Sequence, residues 1–138
     1  MKYMILLYGS QQEYDAMAGR AGADQAWSAD DFAAMGDFMQ SWNNDLVESG
    51  EFVEARGLAE PVLTRRVQLR KGVPVVTDGP YPEAQEVLAG YTVVECVSFD
   101  RATEIAARLA QCPNPLGADA QYMVDVRLIL DGRDELVT

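Results

Sequence analysis

A chain of 138 residues with 49% hydrophobic composition has the length of one domain and enough apolar material to bury a core without disulfide or metal staples. Eleven Lys and Arg stand against twenty-two Asp and Glu, and the resulting net charge of -11 repels nucleic-acid phosphates and anionic lipid alike. Neither nucleic acid nor membrane is expected as a partner. With no apolar run near the ~20 residues of a membrane span and no secretory leader pattern, a cytoplasmic location is expected.

Histidine is absent from the sequence. That removes the usual general base near neutral pH, the Ser-His type of triad and the commonest zinc ligand. Acid-base chemistry then falls to carboxylates, tyrosines, cysteines, lysine or bound water. Cys96 and Cys112 lack metal-type spacing and read as reduced structural thiols. No metal and no cofactor are predicted.

Residues 2–8, Lys-Tyr-Met-Ile-Leu-Leu-Tyr, are apolar on both faces and stop at Gly9, the pattern of a central strand covered on each side. Residues 10–26 are small and polar, contain Gly19 and Gly22, and read as a long loop with a short helical turn around 11–17. Ser28 followed three residues later by Asp31 marks a helix start, and Trp27 with Phe32 has the spacing of a hydrophobic staple. Phe32, Met35, Met39, Trp42 and Leu46 recur in steps of three and four, so they form one stripe against a sheet until Gly50 closes the helix. Such a stripe is core rather than a cofactor box.

Residues 51–59 read as a second extended segment and 64–70 as a third, with Val67 and Leu69 facing in and Arg66, Gln68 and Arg70 facing out. The basic cluster of Arg65, Arg66, Arg70 and Lys71 is thus a solvated strand face rather than a binding patch. Lys71-Gly72 predicts a hairpin turn into 73–77, where Pro74 lacks a ladder donor and argues for a sheet edge. Residues 87–97 are strand-like, and Asp100 is expected to cap a second helix with Ala102, Ile105, Ala106 and Leu109 inside, ended by Pro113. After a loop at 114–120, residues 121–128 form the last strand, with Tyr122, Val124 and Val126 alternating against Met123, Asp125 and Arg127.

The order strand, helix, strand, hairpin, strand, helix, strand predicts one α+β domain over residues 1–138, a ferredoxin-like βαββαβ unit with an extra β-hairpin. Both helices then cover one sheet face. A sheet apolar on both faces needs a second cover, and a second copy of the chain is the economical one, so a homodimer is expected.

Two constellations carry possible chemistry. Asp78-Gly79-Pro80-Tyr81 is a rigid turn: Asp bonds nearby amides, Gly permits positive φ and Pro fixes the exit direction. Its plain reading is a turn that positions Tyr81 and Glu83 for packing or capping. The second comes from strand parity, which puts Tyr91, Val93, Glu95 and Val97 on one face and Met123, Asp125 and Arg127 on one face, with Met4 and Tyr8 on a neighbouring strand. Unpaired burial of such charges costs several kcal/mol, so they either form a salt bridge at the dimer interface or line a wet cavity. In the cavity reading Arg127 holds an anionic group, a carboxylate acts as base, and Asp78 and Tyr81 close the mouth.

The run Asp78-Gly79-Pro80-Tyr81, with Glu83, Glu86, Leu88, Gly90 and Tyr91 after it, resembles the signature of the YCII-related family in its DGPF branch. The likeness extends to the Met1-Lys2-Tyr3-Met4 opening, Tyr8-Gly9, Gly57-Leu58, Cys112-Pro113 and Val126-Arg127. What the resemblance implies is a dimeric α/β barrel of two ferredoxin-like protomers. The chain departs from the pattern at Gln85, where the family commonly carries Lys, and at Ala89, where it carries Gly. Relatives that look enzymatic carry a His-Asp pair and resemble muconolactone isomerases and lactone dehalogenases, a mechanism a chain without His does not share. The branch is also linked with extracytoplasmic-function sigma factors, which implies an accessory role in transcription.

Two functions of different class follow. One is an unknown small organic ligand bound in a cleft of the dimer, with lyase or isomerase type acid-base chemistry. Its catalytic candidates are Asp78, Tyr81 and Glu95, with Asp78 or Glu95 as base and Tyr81 or Tyr8 as donor; its ligand-binding candidates are Tyr8, Gly79, Pro80, Glu83, Tyr91 and Arg127. The other is a non-enzymatic accessory protein whose acidic loop, residues 78–86, meets a sigma factor.

Overall fold

The apolar run at the N-terminus forms strand β1 (Lys2–Gly9) in a computed structural model that describes residues 1–20, 26–115 and 123–130. It is followed by α1 (Gln11–Met17), α2 (Ala29–Ser49), β2 (Phe52–Gly57), a 3-10 turn at Pro61–Leu63, β3 (Arg65–Arg70), β4 (Val73–Asp78), β5 (Val87–Glu95), α3 (Phe99–Leu109) and β6 (Val124–Leu128). Four strands make an antiparallel sheet in the order β2-β5-β1-β6, and β3 and β4 pair as a separate ribbon. Because β1 and β2 both run antiparallel to β5, they are parallel to each other and need the crossover that α2 supplies; α3 does the same for β5 and β6 around β1. With the ribbon set aside, this mixed α+β arrangement is consistent with a ferredoxin-like fold.

Local chemistry fixes the helix ends. Ser28 Oγ accepts the Asp31 N–H at 3.1 Å while the Asp31 carboxylate accepts the Ser28 N–H at 2.8 Å, which satisfies two donors that the first turn leaves over. The Trp27 and Phe32 rings pack 5.3 Å apart, and Gly50 closes α2 in the left-handed region at φ 79°. For α3 the cap is Ser98 rather than Asp100: Ser98 is extended and its Oγ accepts the Arg101 N–H at 3.1 Å, whereas Asp100 lies in the first turn, where its charge opposes the helix dipole's positive end.

Both long helices lie on the same sheet face. Tyr3 and Ile5 of β1 and Val94 of β5 are buried with Trp42 and Leu46 of α2 and Ala102, Ile105, Ala106 and Leu109 of α3. Trp42 is the largest of these and is 1% exposed; its indole N–H donates to the Ile105 carbonyl at 3.1 Å and ties the two helices together. Cys96 joins this core and Cys112 is half-buried past α3.

Two expectations need correction. Val67 and Leu69 do not face inward: they are 63% and 71% exposed, because a ribbon detached from the main sheet has no second layer to make either face an inside. Its turn is as expected, with Lys71 at φ 52° and Gly72 at φ 79° giving the two left-handed residues a tight hairpin requires. Pro74 sits opposite Leu69 in a ribbon whose strands are both edges. The second correction is that Phe32, expected on the buried stripe of α2, is 39% exposed, while Phe38 packs against the core. Residues 121 and 122 of the expected last strand, like part of the loops at 10–26 and 114–120, lie outside the described residues. Among the described residues no helix is long and apolar enough to cross a membrane.

The α2 stripe supports a graded test. Trp42→Ala is expected to lower the unfolding free energy by about 3–5 kcal/mol in urea titration. Phe32→Ala, on the same stripe but 39% exposed, should cost no more than ~1 kcal/mol. Equal losses would contradict the placement of the core under Trp42.

Candidate functional site

Side chains alternate along β1, so with Tyr3 and Ile5 under the helices, Lys2, Met4, Leu6 and Tyr8 point to the opposite face. On that face Met4 stands between Val93 and Arg127, Leu6 between Tyr91 and Asp125, and Lys2 beside Glu95; Arg56 and Glu54 of β2 lie across from Tyr91 and Val93. Leu6 and Val93 are buried, at 8% and 4% exposed, and Met4, Tyr8 and Tyr91 are half-buried. The face therefore has an apolar centre and a charged rim.

The β1/β5 register slips between Leu7 and Tyr8 and leaves Ala89 without a partner, a bulge of the kind that re-aims nearby side chains. Beside it the Tyr8 hydroxyl donates to Asp125 Oδ2 at 2.7 Å. That bond raises the pKa of the phenol, burial and the Asp125 charge add to it, and Arg127 opposes them. Tyr8 thus keeps its proton through the neutral range.

A second group at the same sheet end was not visible in the sequence. Glu13, in the first turn of α1, has its pKa raised by burial and then by the charge and hydrogen bond of Glu86; contacts with Ser10 pull the other way. Burial and the neighbouring Glu86 thus favour the protonated form of Glu13. The neighbouring Tyr14 hydroxyl donates to the Leu58 carbonyl at 3.0 Å and reaches that of the bulge residue Ala89 at 3.4 Å. Burial raises its pKa and the Glu13 charge adds to it. The Gln12 N–H donates to the Glu83 carbonyl at 3.2 Å, and Gln11 Oε1 accepts the Val62 N–H at 2.8 Å. α1 is thereby fastened to the loops on either side of the β3–β4 ribbon. Glu86 stood out only as part of a motif, and nothing local marks Glu13 as its partner.

The Asp78-Gly79-Pro80-Tyr81 turn leads toward this end of the sheet. Gly79 has φ 53°, its N–H donates to the Thr64 carbonyl at 2.8 Å, and an added Cβ would stand 3.3 Å from the Val62 carbonyl oxygen, so the position needs glycine twice over. Asp78 accepts from Arg65 Nε at 3.1 Å across the ribbon's base, with both side chains 77% exposed. The Arg66 guanidinium lies 5.3 Å from the Tyr81 ring centroid. Pro80 and Tyr81 are half-buried, and Glu83 is exposed.

The structure brings Tyr8 and Arg127 together with Asp125 on the open face, and Tyr91 shares that face. It does not bring Asp78 and Glu95 together. Glu95 ends β5 and Val87 begins it, roughly 26 Å away at ~3.3 Å per residue. The turn's loop is held at the Val87 end through Glu83 and α1.

An antiparallel α+β unit with both long helices on one face and a bulge beside a tyrosine-carboxylate pair is consistent with the ferredoxin-like class of architecture. The YCII-related domain matches residues 1–124, and the chain belongs to that family. It is similar to an uncharacterized protein of Rhizobium meliloti (strain 1021), 24% identical over 115 residues that cover 83% of this chain and 84% of that one.

The acid pair gives a signed pH prediction. The folded chain favours protonated Glu13, so it binds a proton that the unfolded chain has lost, and stability falls as pH rises from the ordinary Glu range through the raised value. Glu13→Gln should therefore raise the Tm at about pH 8 and leave it nearly unchanged at about pH 4. Equal shifts at the two pH values would contradict the raised pKa of Glu13.

Proposed function

We propose that this YCII-related chain, as a homodimeric α/β barrel of the DGPF branch, binds a small organic anion against the open sheet face and moves a proton on it in a lyase or isomerase type of reaction. The observation that carries the reading is the 2.7 Å hydrogen bond from Tyr8 to Asp125, beside Arg127 and the bulge. The apolar centre at Met4, Leu6, Tyr91 and Val93, on the face turned away from both long helices, supports a second copy as its cover.

Each residue then has a role. Arg127 pairs with a carboxylate of the ligand, and Tyr91 forms part of the floor. Asp125 takes the proton released by the ligand's carbon; once it is neutral, the Tyr8 hydroxyl turns to donate to the ligand oxygen that gains charge. Gly79, Pro80, Tyr81 and Glu83 border the mouth. Asp78 is engaged with Arg65 and Glu95 stands at the far end of β5, so the role of base passes to Asp125.

A second reading draws on the exposure of Glu83 and Glu86, which suits the loop at 78–86 as a contact for a basic partner such as a sigma factor. Capture of a sigma factor that fails after Glu83→Lys would favour it.

The ligand reading is tested by NMR titration with a panel of small mono- and dicarboxylates. Binding should move the amide signals of Tyr8, Tyr91 and Arg127, and Arg127→Ala should weaken it at least ~10-fold, about the worth of a charge-assisted pair. In deuterated water, deuterium should enter the bound ligand, and Asp125→Asn should stop this while binding persists. Unchanged affinity in Arg127→Ala would sink the reading.

A further inference from the structure

We propose that the β3–β4 ribbon is an arm that seats in the depression formed by Met1, Glu51, Glu95 and Val97 of a second copy, and that the contact is reciprocal. The inference rests on the homodimer reading and specifies where the two copies hold each other.

The ribbon's pairing sorts its side chains. Val67 opposite Val76 and Leu69 opposite Pro74 share one face, closed at the base by Arg65 and Asp78; Arg66, Gln68 and Arg70 occupy the other, opposite Thr77, Val75 and Val73. Val67, Leu69 and Val76 are 63%, 71% and 56% exposed. A lone two-stranded ribbon is marginal in water and calls for a cover.

Charge says what covers it. Four of the eleven Lys and Arg fall within residues 65–71, which contain no acid, and the rest of the chain sets seven cations against twenty-two acids. Arg65 and Arg66 have partners within the chain, but Arg70 and Lys71 at the tip make no ion pair among the described residues. Two bodies of net charge -11 repel each other, and a basic arm laid on an acidic body offsets that repulsion.

The depression fits both the charge and the apolar face. It lies beside the C-terminal end of β5 and is lined by Met1, Ser49, Gly50, Glu51, Glu95, Cys96 and Val97. Val97 is 91% and Met1 59% exposed, which gives Val67 and Leu69 an apolar seat. Glu95 is exposed at its rim and meets Arg70 and Lys71; Glu51 is held by Arg101 at 2.8 Å and keeps the floor in place. The arm leaves the sheet between the end of β2 and the start of β5, at the opposite end from this depression. A two-fold axis crossing the strands therefore carries each arm to the other copy's depression. Strands of six residues reach ~20 Å, against ~30 Å for the nine residues of β5.

Lysine supplies the test, because Lys2 and Lys71 are the two lysines of the sequence. Carbodiimide coupling of mixed unlabelled and nitrogen-15-labelled protein should yield mixed-label peptides joining Lys71 to Glu95 or Glu51. Val97→Arg, at a solvent-facing position, should reduce their yield at least fivefold. Coupling of Lys2 to Glu95, cross-strand neighbours within one chain, serves as the internal standard. Sedimentation velocity on the same samples separates the outcomes. A dimer whose Lys71 couples elsewhere or not at all overturns the arm and leaves the dimer reading standing; a monomer overturns both.

Discussion

Two helices can cover a four-stranded sheet on one side, and the seating of Trp42 decides which side that is. Its indole fills the space between α2, α3 and the sheet and donates to the Ile105 carbonyl, so the two crossover helices stay on one face. Residues of the opposite parity point away from both helices. Met4, Leu6, Tyr91 and Val93 are apolar at the centre of that face, while Lys2, Glu54, Arg56, Glu95, Asp125 and Arg127 ring it. Such a face sets an apolar centre inside a charged rim.

The chemistry concentrates where the sheet is irregular. Insertion of Ala89 breaks the register next to Tyr8, and the carbonyl of the inserted residue is taken up in part by the Tyr14 hydroxyl. Tyr14 belongs to α1, the same short helix that carries Glu13 to Glu86 and binds the backbone of Glu83. Close packing at the entry to α1 keeps these pieces in register: a Cβ on Gly9 would meet Ala89 Cβ at 3.4 Å and Glu13 Oε2 at 3.6 Å. Bulge, helix and loop thus support one another, and Tyr8 is aimed at Asp125 from within that assembly.

Much of this was legible in the sequence because it is local. The Ser28 and Asp31 cap, the Trp42 and Leu46 stripe, the inner face of α3 and the Lys71-Gly72 turn each depend on residues within a few positions of one another. The ferredoxin-like arrangement followed from the succession of elements. What depended on distant partners was not legible: whether Val67 and Leu69 have an inside to face, where the register slips, and which carboxyl Glu86 meets. Ser98 won over Asp100 as a cap because capping follows backbone geometry, which residue type alone does not fix. The individuality of the Asp78 turn proved to be a matter of backbone, since Gly79 must fit against the Val62 carbonyl while the Asp78 side chain bonds Arg65 in solvent.

Sedimentation equilibrium tests most directly whether a second copy covers the sheet face opposite the helices. The wild-type chain should give twice its 15.2 kDa mass, and Met4→Asp, at the centre of the face, should give the single-chain mass with unchanged far-ultraviolet circular dichroism. A wild-type chain that stays at 15.2 kDa across the concentration range would contradict it.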